Sequence, residues 1–339
     1  MSSTASAPDK WAAWDDFLEG VDDTGFMQSL AWSDFRGAHG AEYFGAVLKA
    51  RGVTLGGAIV QKCSTSDDDC FYYVQDGPVL PDDEGVAEQI FTAFIEHVNL
   101  QRAGERQIVS HLRIEPRWHR LPSFVSGFRP APEDDDYTEP RRTLCVDLSQ
   151  DAAAILAQMK PKGRYNVRLA AKHGVTVLQD SSDRGLSDFY QIYSDTAERQ
   201  AIDLKPFEYF ETLTSMFSRR HKLAIFFAEY QHERIATALV LYFGRRATYF
   251  FGGSRYTHRS LMAPYLLHYE AMQAARSEGC RWYDFWGIAP EGNVDDAWYD
   301  ISVFKRKFGG VEVELVPTLD YVYDEQAYVR YLHSQDEDG

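Results

Sequence analysis

The sequence predicts an α/β (α+β) chain made of two repeated units, each a mixed sheet flanked by helices. Three observations predict it. Hydrophobic periodicity runs strand, hairpin, strand, strand, helix, strand, and then runs through the same order again. Both runs end alike, in a helix, a glycine-containing break, an apolar stretch and a proline. The length, 339 residues, suits about two domains.

In the first unit, residues 44–50 read as a strand that reaches a polar turn at Arg51-Gly52. Residues 55–60 and 71–74 follow as strands. Residues 88–98 carry helical spacing, break at Ala103-Gly104 and lead to an apolar strand at 108–114 and Pro116. The second unit repeats this with strands at 223–228, 235–241 and 247–251, a turn at 231–233, a helix at 265–275, a break at Glu278-Gly279, and a strand at 282–286 before Pro290. A helix-rich stretch, 151–172, opens the second unit, with a cap signal at Asp147-Leu-Ser149. The acidic, proline-containing loop at 129–139 is the expected domain boundary. The tail holds two more strand-like runs, around 312–316 and 321–323.

Composition narrows the function classes. Net charge is −16, which argues against a general nucleic-acid coat but leaves room for a small basic patch that meets one end of an RNA. The 21 Phe, 20 Tyr and 7 Trp favour large cores and aromatic-lined clefts. Acidic runs at 67–69 and 133–136 read as solvated loops. The four cysteines, Cys63, Cys70, Cys145 and Cys280, form no Cys-x-x-Cys pair, and no HExxH spacing occurs. Neither a metal site nor a disulfide framework is expected, and no cofactor. Residues 1–10 lack the charged and apolar regions of a signal peptide, and no apolar window is long enough to span a membrane. The expectation is a reduced, cytoplasmic protein without stable membrane insertion, with peripheral attachment to the inner face of the plasma membrane left open.

The strongest local signal is Asp284-Phe-Trp-Gly-Ile-Ala-Pro290 followed by Phe304-Lys-Arg-Lys-Phe-Gly-Gly310. The first reads as a buried strand running into a loop. In the second, read as extended with neighbours on alternate faces, Phe304 and Phe308 flank Lys305. Their rings would bury the lysine stem and lower the local dielectric. A desolvated, positioned cation is what a developing oxyanion needs; the competing reading is a surface basic cluster.

The repeated order resembles the core of the acyl-CoA N-acyltransferases, so the expected fold is a tandem GNAT-like one. The motifs quoted above, with Ala263-Pro-Tyr-Leu-Leu267, resemble those of the Fem-type (FemABX) non-ribosomal peptidyltransferases, in a compact form without the coiled-coil arm. In that family the tail returns to the first domain. The resemblance therefore implies a first domain of 1–148 plus about 315–339 and a second of 149–314. It also implies transfer of an amino acid from the acceptor end of an aminoacyl-tRNA to the stem-peptide side-chain amine of a UDP-MurNAc-peptide or lipid-linked precursor.

Site residues follow from the resemblance. Gln28-Ser-Leu-Ala-Trp32 places Arg36 where the family binds precursor phosphate. Tyr73-Val-Gln-Asp-Gly-Pro-Val79 implies that Tyr73 and either Asp76 or Asp82 approach the sugar-peptide ligand. Lys205-Pro-Phe-Glu-Tyr209 implies a second phosphate ligand at Lys205 and a ligand contact at Tyr209; lysine in place of the usual arginine changes the bidentate geometry. Gly252-Gly-Ser-Arg-Tyr256 implies a stem-peptide contact at Tyr256. Lys305 is the catalytic candidate and Phe304 its ligand-side neighbour. Lys160, Lys162, Arg164 and Arg168, with Arg306 and Lys307, form the candidate RNA patch. No nucleophile is evident. Substrate phosphate or a carboxylate such as Asp82 would take the amine proton.

Two other functions fit less well. An acyl-CoA N-acyltransferase needs a glycine-rich loop to cradle pyrophosphate, and Arg255-Tyr-Thr-His-Arg-Ser-Leu-Met-Ala-Pro-Tyr265 has none. A non-catalytic module that binds the precursor would keep the ligand residues and lack turnover.

Overall fold

The computed structural model describes residues 8–132, 137–200, 202–218 and 222–337; the acidic run at 133–136 lies outside them. The chain divides into two units, 1–141 with 314–339 and 142–313.

The first unit opens with α1 (Pro8–Glu19) and α2 (Leu30–Ala38), the latter capped by the Ser29 hydroxyl on the Trp32 amide. β1 (Glu42–Ala50) and β2 (Val53–Ser64) form a hairpin whose turn residues Arg51 and Gly52 both have positive φ, as a two-residue turn of this hand requires. β3 (Asp69–Gln75) is buried along its whole length, which marks it as central. α3 (Glu84–Ala103) starts at an Asp83 cap and buries Ala87, Ile90, Phe91, Phe94 and Val98, one stripe at helical spacing. It returns the chain to β4 (Ile108–Glu115), parallel to β3, and the short β5 (Arg129–Pro130) follows.

The second unit begins with β6 (Arg142–Asp147), a segment that lies within the expected first domain of 1–148. It belongs here because it pairs antiparallel with β11 (Trp282–Gly287). α4 (Ala152–Gln158) is capped by Asp151 rather than by Asp147, whose carboxylate instead takes the Ser149 amide. α5 (Pro161–Lys172), β7 (Thr176–Gln179), α6 (Asp183–Gln200) and α7 (Phe207–Ser218) precede the repeated motif. That motif is β8 (Leu223–Tyr230), β9 (Glu233–Phe243), β10 (Arg246–Ser254), α8 (Ala263–Ser277) and then β11, with β10 and β11 parallel. The β8–β9 turn uses Gln231 and His232 at positive φ, the same geometry as the first hairpin without its glycine. α8 buries Ala263, Leu266, Leu267, Ala271, Met272 and Ala275, with Pro264 in its first turn, where no amide hydrogen is missed.

After α9 (Tyr299–Lys305) and β12 (Val311–Glu314), the tail enters the first sheet as β13 (Leu319–Val322), antiparallel between β4 and β5, and ends in α10 (Glu325–Glu337). Asp320 on β13 accepts both arms of the buried Arg113 guanidinium at 2.8 Å and the Tyr328 hydroxyl at 2.8 Å. Losing one partner of a buried pair of this kind costs about 3–5 kcal/mol, so the tail is an integral strand of its sheet.

The sheet orders are β1-β2-β3-β4-β13-β5 and β12-β6-β11-β10-β9-β8-β7. Each is a mixed sheet with one parallel pair joined through a helix, which is the tandem acyltransferase-like arrangement. Among the described residues the longest helix is α3, with 20 residues, so no coiled-coil arm interrupts the second unit; none is long and apolar enough to cross a membrane.

Candidate active site

Ser302, Lys305 and Arg306 gather at the carboxyl end of β11, where ligands meet parallel strands in open α/β sheets. β10 and β11 pair only over Arg246–Thr248 and Trp282–Asp284. Beyond that the register of β10 breaks between Tyr249 and Phe251, and that of β11 between Asp284 and Gly287. The strands therefore part, with the Phe250 and Trp286 rings edge to face at 5.8 Å.

Lys305 reaches this opening. The expected extended segment is instead helical: Lys305 ends α9, and Arg306–Phe308 continue as a 3-10 turn. Ser302, Lys305 and Arg306 stand at i, i+3 and i+4, on one helix face. All three grip the chain leaving β11. Ser302 Oγ accepts the Ala289 amide at 2.7 Å, Lys305 Nζ donates to the Gly287 carbonyl at 2.6 Å, and Arg306 Nη2 donates to the Ala289 carbonyl at 2.6 Å.

The lysine is 4% exposed, and Gly287 O is the hydrogen-bond acceptor of its ammonium among the described residues. Burial pushes the amine down to about 7, with the charge of Asp284 opposing the fall. The ring over the ammonium is Trp298, at 5.2 Å. Phe304 and Phe308 do not flank it. They pack with Tyr265, His268 and Phe285 and anchor α9 to the core. The double glycine has a separate cause. Gly309 and Gly310 take φ of 74° and 83°, and a Cβ would stand 2.0 Å from Gln158 O and 2.3 Å from Cys145 O.

The basic residues divide into structural and exposed groups. Arg306 is buried and pairs with Glu312 at 2.7 Å, and Arg164 folds back onto the Ala157 and Met159 carbonyls. Arg306 is thus engaged within its own unit, while Arg164 is half-buried with its Nη1 on these carbonyls. Lys160, Lys162 and Arg168 are exposed and Lys307 is half-buried. The Lys160 amide donates to the Lys307 carbonyl at 3.0 Å, so α5 and the segment after α9 form one basic surface.

Lys205 is exposed and pairs with Asp203 at 2.5 Å. Tyr209 is half-buried against Phe210 and Phe251. Tyr256 is 57% exposed, with the Arg259 and Arg199 guanidinium groups 4.0 and 5.8 Å from its ring. The loop after Arg255 winds into a 3-10 turn. Its His258, Met262 and Tyr265 amides donate to the Arg255, Arg259 and Met262 carbonyls, so these donors are spent internally.

In the first unit, Arg36 sits in the last turn of α2 and donates to Gln61 Oε1 at 3.3 Å. With Trp32, Gln61 and Gln75 it lines a small cavity. Tyr73 is a core residue: it is buried and donates to Glu115 at 2.5 Å, and burial holds its hydroxyl well above the usual range. Its hydroxyl is held by Glu115, and the residue lines the same small cavity as Arg36. Asp76 is buried at positive φ and takes the Met27 amide at 3.3 Å and Arg117 Nη1 at 3.4 Å. Asp82 is exposed on the rim of a cavity of about 760 Å³, which Asp76, Arg117 and Trp118 also line.

Comparison with known proteins finds related sequences and a shared fold. The model of the FemAB family matches residues 130–233 and 218–332, more than half of the chain. The UDP-N-acetylmuramoylpentapeptide-lysine N(6)-alanyltransferase of Weissella viridescens is 29% identical over 197 residues, 57% of this chain and 57% of that protein. A lipid II:glycine glycyltransferase of Staphylococcus aureus (strain USA300) is 22% identical over 260 residues, 57% of this chain and 61% of that protein. The match thus spans less than two thirds of either relative. The crystal structure of FemX superposes with a TM-score of 0.85 at 17% identity, over 93% of this chain and 96% of that one, which identifies a shared fold.

Proposed function

The chain belongs to the FemAB family, and on that premise we propose that it is an aminoacyltransferase of peptidoglycan-precursor synthesis. It moves an amino acid from an aminoacyl-tRNA to the side-chain amine of the third stem-peptide residue, building an interpeptide bridge. The acceptor is a UDP-MurNAc-peptide or its lipid-linked form. The two relatives are named for transfers to such molecules, an alanyl and a glycyl group respectively.

One observation carries the reading: a buried lysine ammonium at the opening of two parallel strands, held by a single carbonyl among the described residues. The acceptor amine attacks the ester carbonyl, and a C–N bond forms as the carbonyl oxygen becomes an oxyanion. Lys305 offsets that charge. The C–O bond to the terminal ribose then breaks, and the ribose oxygen leaves as a hydroxyl, taking up in net balance the proton that the attacking amine loses. Ester aminolysis is intrinsically downhill, so positioning and charge stabilisation are the main tasks. Arg36 and Lys205 bind precursor phosphate. Tyr209, Tyr256 and Asp82 contact the sugar-peptide, and Lys160, Lys162, Arg168 and Lys307 meet the RNA. Charged tRNA places the reaction in the cytoplasm.

The donor is not a CoA thioester on this reading, because the amides that would cradle pyrophosphate are bonded within the 3-10 turn at 256–261. The test combines purified protein, a mixed pool of charged tRNAs and UDP-MurNAc-pentapeptide, read by mass spectrometry. A precursor heavier by one aminoacyl residue, lost after RNase treatment, is the expected result. Precursor binding without any transfer would leave a binding module instead, and saturable acetyl-CoA binding would return the chain to the CoA-dependent enzymes.

A further inference from the structure

The reading above gives no task to Asp284, a fully buried carboxylate on β11. Its Oδ1 accepts the Trp286 amide at 2.8 Å and the Thr143 hydroxyl, and its Oδ2 accepts Arg246 Nη1 at 2.8 Å. The Thr143 hydroxyl also lies 3.0 Å from the Trp286 carbonyl. Groups from β6, β10 and β11 therefore converge on one side chain. What they hold is unusual backbone. Trp286 has φ of 63°, in the left-handed region that a bulky L-residue avoids unless its surroundings impose it. The residue after it presents the carbonyl that takes the Lys305 ammonium.

We propose that Asp284 is a positioning residue for Lys305: its carboxylate holds Trp286 in the left-handed bend and so aims the Gly287 carbonyl at the ammonium. The proposal rests on the catalytic role given to Lys305 above. Asp284 does not touch the reacting atoms; it acts through the bend and through its charge. Burial disfavours the charged lysine, and Asp284 is the group that opposes this. The other charged or titratable groups around the pair include Arg246 from β10, with Cys145 of β6 beside it, Arg306, whose guanidinium holds the Ala289 carbonyl, and His268 from α8, bonded to the Tyr283 hydroxyl. His268 is pushed down to about 3 by burial and then by the lysine's charge, so it is neutral and leaves the electrostatics to the aspartate.

Asp284→Asn keeps an acceptor oxygen for the Trp286 amide and removes the charge. It also takes the Asp284 charge away from the buried Arg246, which can destabilise the fold. The double variant Asp284→Asn/Arg246→Gln is therefore made beside it, and a thermal melt of each establishes folding. The titration of Lys305 is followed by NMR on full-length protein with carbon-13 at lysine Cε. The signal is assigned by its loss in Lys305→Met, and no substrate is present. Its midpoint should fall by about one pH unit or more in folded Asp284→Asn, a tenfold loss of ammonium at any pH well above the midpoint, and by a smaller but resolved amount in the double variant, which also removes the opposing charge of Arg246. In parallel, kcat at about pH 8 should fall tenfold or more, with KM for the precursor nearly unchanged, and should recover as the pH is lowered towards about 6. Acid would not rescue a merely structural defect. An unchanged Lys305 midpoint in a folded variant overturns the proposal, and so does a kcat–pH profile that falls uniformly. Absence of transfer by the wild-type protein would sink the aminoacyltransferase reading instead, and the NMR titration would still decide the role of Asp284.

Discussion

Trp298 stands seven residues before Lys305, and two turns of helix bring its ring to 5.2 Å from the lysine ammonium. The ring is 40% exposed while the lysine is nearly closed off, so the tryptophan forms the solvent side of the lysine's enclosure. Trp298→Ala removes both the cation–π attraction and the cover. A cation–π contact is worth about 0.5–2 kcal/mol, so kcat should fall from about twofold to thirtyfold. Trp298→Phe should retain most of the activity. Equal rates for the alanine variant and the wild type would remove Trp298 from the site.

Lys305→Met keeps apolar bulk and deletes the charge. The turnover rate should drop about 10²-fold or more, as for loss of one oxyanion donor, with precursor affinity near wild type. Stability gives a second readout. The folded-state amine is depressed from 10.5 to about 7, so between those values the unfolded chain binds more protons than the folded one. Wild-type stability therefore rises with pH across that window, because the cost of burying the charge is greatest below about 7 and vanishes above 10.5. Denaturant titrations should find the wild type gaining on Lys305→Met as pH increases from 7 towards 10. A pH-independent difference would mean that the lysine is not buried in its charged form.

The two cations after Lys305 should behave in opposite ways. Arg306→Met breaks the bonds to Glu312 and to the Ala289 carbonyl. Charge-assisted bonds contribute about 1.5–3 kcal/mol each, so its melting temperature should fall while the affinity of any folded fraction for tRNA holds. Lys307→Met and Lys160→Ala should leave melting unchanged and weaken tRNA binding. Each should also lower the slope of log affinity against log salt by about one. Equal effects of all three variants on tRNA affinity would return Arg306 to the RNA patch.

Gly309→Ala is expected to destabilise the second unit. Backbone at φ 74° and ψ −143° is essentially reserved for glycine and costs other residues about 1–3 kcal/mol. The added methyl would also meet the Gln158 carbonyl. Gly279→Ala is the comparison: it too has positive φ, but nothing lies within 4 Å of its Cβ position. Urea unfolding should therefore rank Gly309→Ala well below Gly279→Ala, and equal losses would mean that the close approach to α4 contributes nothing.

Much of the candidate site was hidden by a single misread element. With 304–308 taken as extended, Phe304 and Phe308 become the neighbours of Lys305, and Trp298 lies out of reach. Read as helix, the same residues put Ser302, Lys305 and Arg306 on one face and Trp298 two turns behind. The helix is seven residues long, and its pattern, Tyr299-Asp-Ile-Ser-Val-Phe-Lys305, suits either period. Arg164 and Arg306 illustrate the same limit, since a basic residue reads as surface charge until the carbonyls it meets are known.

By itself the sequence determined the repeated order of strands and helix. That order follows from hydrophobic period and from punctuation by Gly104, Pro116, Gly279 and Pro290, which are local properties of the chain. It singled out equally the segments Asp284–Pro290 and Phe304–Gly310 as the strongest local signal. Tertiary structure decided what each polar side chain faces. The opening between β10 and β11, the bend at Trp286 and the capture of Gly287 by Lys305 bring together residues from β6, β10, β11 and α9. Burial and charge at a point in space depend on every strand that reaches it, and no local pattern along the chain records that sum.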